Sequence, residues 1–222
     1  QLTKTIEGLV TQEDLDGLVF KVYEGTDTTA EPVWNHKLSE SSVFTFTAST
    51  DGTQNGTYVA TIDNLDSNKT YTVVETLTTY EGYDVVASYK IGSDTQYTTG
   101  ETASGVGITA GGTTNVDYKD VFTEKTGKLT VDKTVTGLTG TDTATNTYKF
   151  TVKAGDKYLQ ADGTLGTQPN EFSVTDDTPC EITVKGSAFD NAFTVTESTT
   201  GTAITGYTFD GATYTDNNGT AK

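Results

Sequence analysis

The sequence predicts an all-β protein composed of two tandem immunoglobulin-like β-sandwiches. Short segments rich in Thr, Val, Tyr and Phe alternate with turns that contain Gly, Asn or Asp, and no stretch keeps the period of an amphipathic helix. Only 33 % of the 222 residues are hydrophobic, which fits short strands that each have one solvent-exposed face. The strand pattern of the first part also returns in the second part.

Eight strands are predicted in the first part, because apolar and polar residues alternate along them. The dipeptides Asp51-Gly52 and Asn55-Gly56 are turn signals between two of these strands, while Trp34 and His36 are predicted to lie in a polar connection. In chain order, the predicted strands cover residues 2–6, 18–23, 43–47, 58–62, 71–76, 83–91, 105–109 and 115–122.

An internal duplication accounts for the second part of the chain. The repeated segments are, pairwise, residues 1–8 and 128–137, residues 20–22 and 150–152, and residues 71–76 and 193–198. The pattern restarts after a short polar stretch near residues 123–127. The sequence therefore predicts one sandwich at residues 1–124 and a second one at residues 125–222.

The charge and the cysteine content limit the classes of function. The formal net charge of −17 argues against nucleic acid and anionic membranes as partners, because both repel an acidic surface. The single cysteine, Cys180, excludes an internal disulfide bond and is interpreted as a partly packed free thiol. No signal peptide or membrane-spanning run is recognised, and the start at Gln1 leads us to expect a piece of a longer protein.

Three ionisable residues of the first domain are predicted to point into its core. Lys4, Glu75 and Asp120 each share a strand face with two apolar neighbours. Burying one such group alone is costly, so we expect the three to meet and either neutralise one another or react. Three interpretations stay open at this point: a buried salt-bridge cluster, a strand register that leaves one or two of the groups in water, and a reactive centre.

These motifs resemble the collagen-adhesin B-type (CnaB) domain of Gram-positive surface proteins and pilins. The resemblance is carried by residues 129–137 (LTVDKTVTG), 193–197 (FTVTE) and 116–122 (VDYKDVF), the last of which is similar to the family's final strand. It implies that Glu75 and Glu197 stand at the position of the family's conserved glutamate. It further implies that Lys4 and Asp120 join through a spontaneous intramolecular isopeptide bond, which Glu75 assists.

Burial makes these residue types suitable for such a bond. An apolar environment lowers the pKa of an amine and raises the pKa of a carboxylic acid, because each charged form loses solvation. A neutral amine is a nucleophile, and a protonated glutamic acid can hydrogen-bond the acceptor carbonyl and transfer protons. The reaction would expel one water and occur once, on the protein itself, so the chain is not predicted to be an enzyme.

The second domain contains only two of the three residues. Lys133 and Glu197 are the counterparts of the lysine and the glutamate of the first domain, but the spacing of the first domain would put the acceptor beyond the printed sequence. The run Asp216-Asn217-Asn218 is turn-like and offers poor acceptors. We therefore expect this domain to lack its last strand here, with an edge that is open to a strand from elsewhere.

The function that the resemblance implies is structural. The chain is expected to be a stalk, pilin or adhesin module on the extracellular, cell-wall-anchored surface of a Gram-positive bacterium, with neighbouring domains or pilin subunits as partners. The alternative is an adhesin module that recognises a host glycan or matrix protein through its loops, for which Trp34 and nearby tyrosines could form a platform. A single histidine, His36, argues against a metal site, and no cofactor is predicted.

Overall fold

A computed structural model gives the fold of the chain. The residues that it describes are 1–8, 15–49, 55–76, 79–139, 146–176, 178–198 and 204–216. The predicted turn at Asp51-Gly52 and the residues Asn217 and Asn218 lie outside these ranges. The chain divides into two compact units, Gln1–Lys125 (unit 1) and Thr126–Lys222 (unit 2).

The described residues form strands and two short 3-10 turns, with no α-helix, which confirms the prediction of an all-β fold with sandwich architecture. Nor does any helical segment among them have the length and hydropathy that a membrane span requires.

Unit 1 is a sandwich of two β-sheets. Its strands are β1 (Leu2–Glu7), β2 (Val19–Glu24), β3 (Trp34–Lys37), β4 (Thr45–Ala48), β5 (Gly56–Ala60), β6 (Thr70–Thr76), β7 (Tyr83–Ile91), β8 (Thr98–Thr99), β9 (Thr102–Gly107) and β10 (Val116–Glu124). One sheet has the order β4-β5-β1-β10-β7-β8, and the other has the order β3-β2-β6-β9. All neighbouring strands are antiparallel except β1 and β10, which are parallel.

The first and the last strand of unit 1 therefore lie side by side. Their register places Leu2 opposite Val116 and Ile6 opposite Asp120. The chain turns away directly after β1 at Gly8, whose φ is +81°. A Cβ atom at this position would overlap the carbonyl oxygen of Phe122, so both the backbone angle and the close approach require glycine.

Tyr118 ties the two sheets of unit 1 together at the centre of the core. Its side chain is fully buried and packs edge-on against Phe20, with ring centroids 5.2 Å apart. Its hydroxyl group donates a hydrogen bond to the carbonyl oxygen of Val73 at 2.7 Å and accepts one from the N–H of Ala103 at 3.2 Å. The polar end of this large side chain is thus satisfied inside the sandwich, between β10 of one sheet and β6 and β9 of the other.

The strands predicted at residues 43–47 and 58–62 lie at Thr45–Ala48 and Gly56–Ala60, β8 was not predicted, and two further segments of unit 1 differ more clearly from the sequence prediction. Trp34 and His36 do not lie in a connection, because residues 34–37 form β3 at the edge of the smaller sheet and pair with β2. The strand predicted at residues 105–109 is instead Thr102–Gly107. A β-bulge separates its two buried residues, Ala103 and Val106, by three positions, so the alternation expected for a strand is interrupted.

Unit 2 is a smaller sandwich. Its strands are β11 (Thr126–Val131), β12 (Tyr148–Ala154), β13 (Lys157–Leu159), β14 (Leu165–Gly166), β15 (Glu171–Val174), β16 (Cys180–Lys185) and β17 (Thr194–Glu197). One sheet consists of β11 and β16, and the other has the order β14-β13-β12-β15 with β17 paired to β12. Residues of both sheets, including Phe150 and Ile182, form one buried apolar cluster, and Cys180 packs against it as a half-buried free thiol.

The two units repeat the same strand pairing at the positions that the sequence duplication indicates. In unit 1, Phe20 on β2 stands opposite Glu75 on β6. In unit 2, Phe150 on β12 stands opposite Glu197 on β17. The duplicated sequence thus produces the same register between the second and the third repeated segments, which determines where each glutamate enters its core.

Candidate functional site

Three strands bring Lys4, Glu75 and Asp120 together inside unit 1. Buried residues alternate with partly exposed ones along β1 and β10, and Lys4 and Asp120 occupy buried positions in that alternation. Glu75 is the last buried residue of β6, in the opposite sheet. The lysine and the aspartate therefore belong to one sheet and the glutamate to the other, so the three side chains meet between the layers.

The amine of Lys4 lies between the two carboxyl groups. Its Nζ is 2.5 Å from Oε1 of Glu75 and 2.5 Å from Oδ1 of Asp120, and all three side chains are 0 % exposed. The five polar atoms of the cluster have no hydrogen-bond partner outside the cluster among the described residues. The three groups can therefore compensate only one another.

The surroundings of the cluster are apolar. The ring of Phe20 lies 6.0 Å from Nζ of Lys4, and both Phe20 and Ile6 are buried. Because the three side chains of the cluster are 0 % exposed, the local dielectric constant is low and charges are poorly solvated. This environment favours the protonated, neutral forms of the Glu75 and Asp120 carboxyl groups.

The electrostatics of the two carboxyl groups follow from this burial. Desolvation raises the pKa of Glu75 to about 7, against the opposing effect of the nearby Lys4. Desolvation also raises the pKa of Asp120, again opposed by Lys4. A carboxyl group with such a pKa is partly protonated at neutral pH, so it can exchange a proton with the amine. The cluster therefore holds a potential nucleophile in contact with both an acceptor carboxyl group and a proton carrier.

Unit 2 assembles the corresponding pair but not a third group. Nζ of Lys133 donates a hydrogen bond to Oε2 of Glu197 at 2.9 Å, and the amine lies 4.9 Å from the centre of the Tyr148 ring. Both side chains of the ion pair are 19 % exposed, in contrast to the complete burial in unit 1. Within the described part of unit 2, no second carboxyl group forms an ion pair with Lys133.

The residues behind the alternative, ligand-binding prediction lie elsewhere on unit 1. Trp34 is partly buried and packs against Phe44, with ring centroids 5.9 Å apart. It also lines an open groove of about 440 Å³, together with Glu24, Asp63 and Lys69. The groove thus combines an aromatic ring that also packs against the core with charged groups.

His36, which was expected to be a solvent-facing loop residue, lies on β3 and contacts Glu40. Its Nδ1 is 2.8 Å from Oε2 of Glu40, and both side chains are about one-third exposed. Groups of three or more His, Cys, Asp or Glu residues with the spacing to hold a metal ion are not found in the described ranges.

Comparison with known proteins covers only the second part of the chain. Residues 129–222 match a family model described as a domain of unknown function (DUF5979). This match spans less than half of the chain and includes both Lys133 and Glu197, but none of unit 1. No curated protein and no solved structure matches the chain. The resemblance to CnaB domains is not tested by this match and stays a prediction.

Proposed function

We propose that unit 1 is a structural module of a bacterial cell-surface protein, such as a stalk, pilin or adhesin segment, stabilised by an isopeptide bond between Lys4 and Asp120. The observation that carries the proposal is the fully buried amine held 2.5 Å from each of two carboxyl oxygens. As a simple ion cluster this arrangement would stabilise the fold only a little, because the cost of desolvating three buried groups offsets their electrostatic attraction. As a reacting set it places every required group in contact.

The proposed reaction is a condensation that the fold directs. The neutral amine of Lys4 attacks the carbonyl carbon of Asp120, so that a C–N bond forms while the C–OH bond of the protonated carboxyl group breaks. The hydroxyl group leaves as water with a proton from Glu75, and Glu75 regains a proton from the attacking nitrogen. Holding the reacting groups in this orientation lowers the activation free energy by about 7–11 kcal/mol in favourable intramolecular cases. The reaction occurs once per chain, so the module is not an enzyme.

The proposed bond has a mechanical consequence because β1 and β10 are the first and last strands of unit 1. Tension that enters before Lys4 would pass through the bond to Asp120 and leave after β10, bypassing the residues between them. Those residues would therefore stay folded under a tension that is strong enough to pull apart strands held by hydrogen bonds alone. By analogy with a disulfide that closes a loop of similar length, the bond would also stabilise the fold by about 4–5 kcal/mol.

An extracellular location on a Gram-positive bacterium, with neighbouring domains or pilin subunits as partners, belongs to the same proposal. It is supported by the acidic composition, which keeps an exposed module soluble, and by the pattern shared with surface-protein domains. A covalent link made without cysteine would provide the cross-link that secreted proteins usually obtain from disulfides, which the single Cys180 cannot form within the chain.

Intact-mass spectrometry of the denatured protein tests the proposal. The wild-type chain should be one water lighter than its sequence, and Lys4→Ala should have its full sequence mass. Lys119→Ala is the matched control, because Lys119 lies on β10 but is partly exposed and paired with Glu7. Its mass should again be one water below its own sequence. A wild-type chain with its full sequence mass would rule out the bond.

The second candidate function is binding of a host glycan or matrix protein at the groove beside Trp34. Aromatic rings with adjacent carboxylates are a common way to hold sugars, which supports this alternative. A glycan and matrix-protein binding screen on the wild-type chain and on Trp34→Ala would separate the two roles. The structural role predicts no ligand whose binding depends on Trp34.

A further inference from the structure

A groove on unit 1 has the volume and the mixed lining of a ligand site. It lies where the end of β2, the start of β3 and the start of β6 meet the connection formed by residues 61–66. Its volume of about 440 Å³ is within the range of about 300–1,000 Å³ that small-ligand pockets occupy. Lys4, Glu75 and Asp120 are not among the residues that line it, so the groove is separate from the buried cluster.

Apolar side chains form one part of the lining. Tyr71 belongs to the core of unit 1, and Trp34, Ile62 and Leu65 pack against that core. Val33 lies at the groove as well, but it is 53 % exposed. The groove thus offers an indole ring and an exposed aliphatic side chain, both of which suit the apolar stem of a long polar side chain.

Hydrogen bonds fix the wall that the connection forms. The hydroxyl group of Tyr71 accepts a hydrogen bond from the N–H of Asp66 at 2.8 Å and donates one to the carbonyl oxygen of Asp66 at 3.3 Å. The N–H of Asn68 donates to Oδ1 of Asp66 at 2.9 Å. Because the backbone and the carboxyl group of Asp66 are already positioned, little ordering of this wall is needed when a ligand binds.

The charged side chains of the groove are mostly acidic. Glu24, Asp63 and Asp66 contribute carboxyl groups, and Lys69 contributes an amine that donates a hydrogen bond to Oε2 of Glu24 at 2.7 Å. The backbone hydrogen bond from Asn68 lowers the pKa of Asp66, so this carboxyl group is ionised at neutral pH. The lining therefore carries an excess of negative charge, in a chain whose formal net charge is −17.

This lining favours one class of ligand over the others. The carboxylates would repel an acidic ligand, and their charge would not stabilise a neutral sugar. A guanidinium group can stack on an indole ring while it donates hydrogen bonds to carboxylates, whereas a lysine ammonium is a compact, strongly hydrated point charge. Arginine therefore matches both the aromatic and the acidic part of the groove.

We propose that the groove binds an arginine side chain from a segment of a partner protein, with the guanidinium group against Trp34 and Asp66 and the aliphatic stem on Val33. The inference rests on the second candidate function, for which it names one ligand class, and it is independent of the proposed bond in unit 1. The acidic surface of the whole chain would speed the encounter with such a partner, and added salt would weaken the binding.

The fluorescence of Trp34 provides the test, because this residue is the only tryptophan of the chain and lines the groove. The probe is the peptide acetyl-Gly-Arg-Gly-Arg-amide, which is titrated into the whole 222-residue protein. We expect a saturable change in the tryptophan emission, with an affinity that falls as salt is added. The peptide acetyl-Gly-Lys-Gly-Lys-amide has the same charge and should bind more weakly.

Asp66→Asn tests the site within the protein. The amide oxygen can still accept the hydrogen bond from Asn68, so the wall should keep its conformation while the charge is lost. We expect the affinity for the arginine peptide to fall roughly tenfold, as is typical when one hydrogen bond to a charged group is weakened. Asp84→Asn is the matched control, since it removes the same charge from an exposed position of β7 outside the groove. Its affinity should change by less than about twofold.

Four outcomes would overturn the proposal. They are the absence of a saturable change with the arginine peptide, equally tight binding of the lysine peptide, an equal loss of affinity in Asp66→Asn and Asp84→Asn, and tighter binding of the neutral sugar chitohexaose than of the arginine peptide. The third would mean nonspecific attraction to an acidic protein. The last would retain the groove as a glycan site and reject only the ligand class. None of the four bears on the mass deficit of unit 1.

Discussion

Nζ of Lys4 lies 2.5 Å from Oδ1 of Asp120, although the backbone partner of Lys4 on β10 is Tyr118 and Asp120 stands opposite Ile6. The lysine side chain therefore leans along the strand by one inward-facing position to reach the carboxyl group. Asp117, the other aspartate of β10, lies on the opposite face and pairs with Lys90. The register thus determines which carboxyl group of this strand the amine can contact.

The leaving group should identify the acceptor. In Asp120→Asn, the same attack would release ammonia instead of water, so this variant should be one ammonia lighter than its own sequence. In the control Asp117→Asn, the chain should remain one water lighter than its own sequence. Intact mass of the denatured proteins distinguishes the two. A water-sized deficit in Asp120→Asn would mean that another carboxyl group is the acceptor.

Removal of the amine should make unit 1 sensitive to pH. In Lys4→Met no bond can form, and Glu75 also loses the neighbour that lowers its pKa. Because the folded pKa is above the unfolded one, the folded state binds the extra proton, and stability is lost as pH rises from the ordinary pKa of 4.5 through the folded pKa of about 7 or above. We expect a loss of roughly 3 kcal/mol across this range.

Urea denaturation of Lys4→Met at several pH values measures this loss, with Lys4→Met/Glu75→Gln as the control that has no titratable group at position 75. The midpoint of Lys4→Met should fall as pH rises, while that of the control should change much less. A midpoint of Lys4→Met that stays constant or rises over the same range would contradict the burial of protonated carboxyl groups.

The end of β1 should tolerate no side chain at Gly8. Gly8→Ala places a Cβ against the carbonyl oxygen of Phe122 and also forces a positive φ on alanine. Gly25→Ala has a similar φ of +74° but meets no atom within 4 Å. Gly25→Ala is the control and should lower the unfolding free energy by about 1 kcal/mol, from the backbone angle alone. Gly8→Ala should lower it clearly more. Equal unfolding free energies for the two variants, measured by denaturation, would argue against the close contact of β1 and β10.

Hydrogen exchange should distinguish the paired and the open strands. The amides of β1 lie between β5 and β10, whereas Asp176, on the β16 side, is the only residue beyond Asp132 that the backbone amides of residues 132–137 contact within the part of the chain that the structure describes. We expect the amides of residues 132–137 to exchange at least tenfold faster than those of β1, because local opening breaks fewer bonds there. Mass spectrometry of peptic fragments gives both rates. Equal protection would show that the edge of unit 2 is already covered.

Local alternation along single strands was enough to predict the inward direction of Lys4, Glu75 and Asp120. The direction of a strand side chain depends only on its position in a two-residue period, which a sequence displays directly. The parallel pairing of β1 with β10 depends on contacts between residues more than 100 positions apart, and the order of both sheets depends on further pairings between strands that are distant in the sequence. No local pattern encodes them, so they required the structure.

Where the sequence prediction was wrong, the local pattern was weak or interrupted. In β3, Trp34 and His36 alternate with polar residues at a sheet edge, so the segment has the composition of a loop. In β9, the bulge breaks the two-residue period between Ala103 and Val106. The half-buried state of Lys133 could not be predicted either, because burial depends on which neighbouring strands are present and not on the residue's own segment.

The position of Lys4 and Asp120 near the two ends of unit 1 has a consequence for resistance to proteolysis, given the proposed bond. Once the two side chains are joined, an enzyme that cuts any loop between β1 and β10 produces two pieces that still hang together through the side chains. A backbone cut that separates an ordinary domain into two molecules would leave unit 1 as one covalently connected molecule.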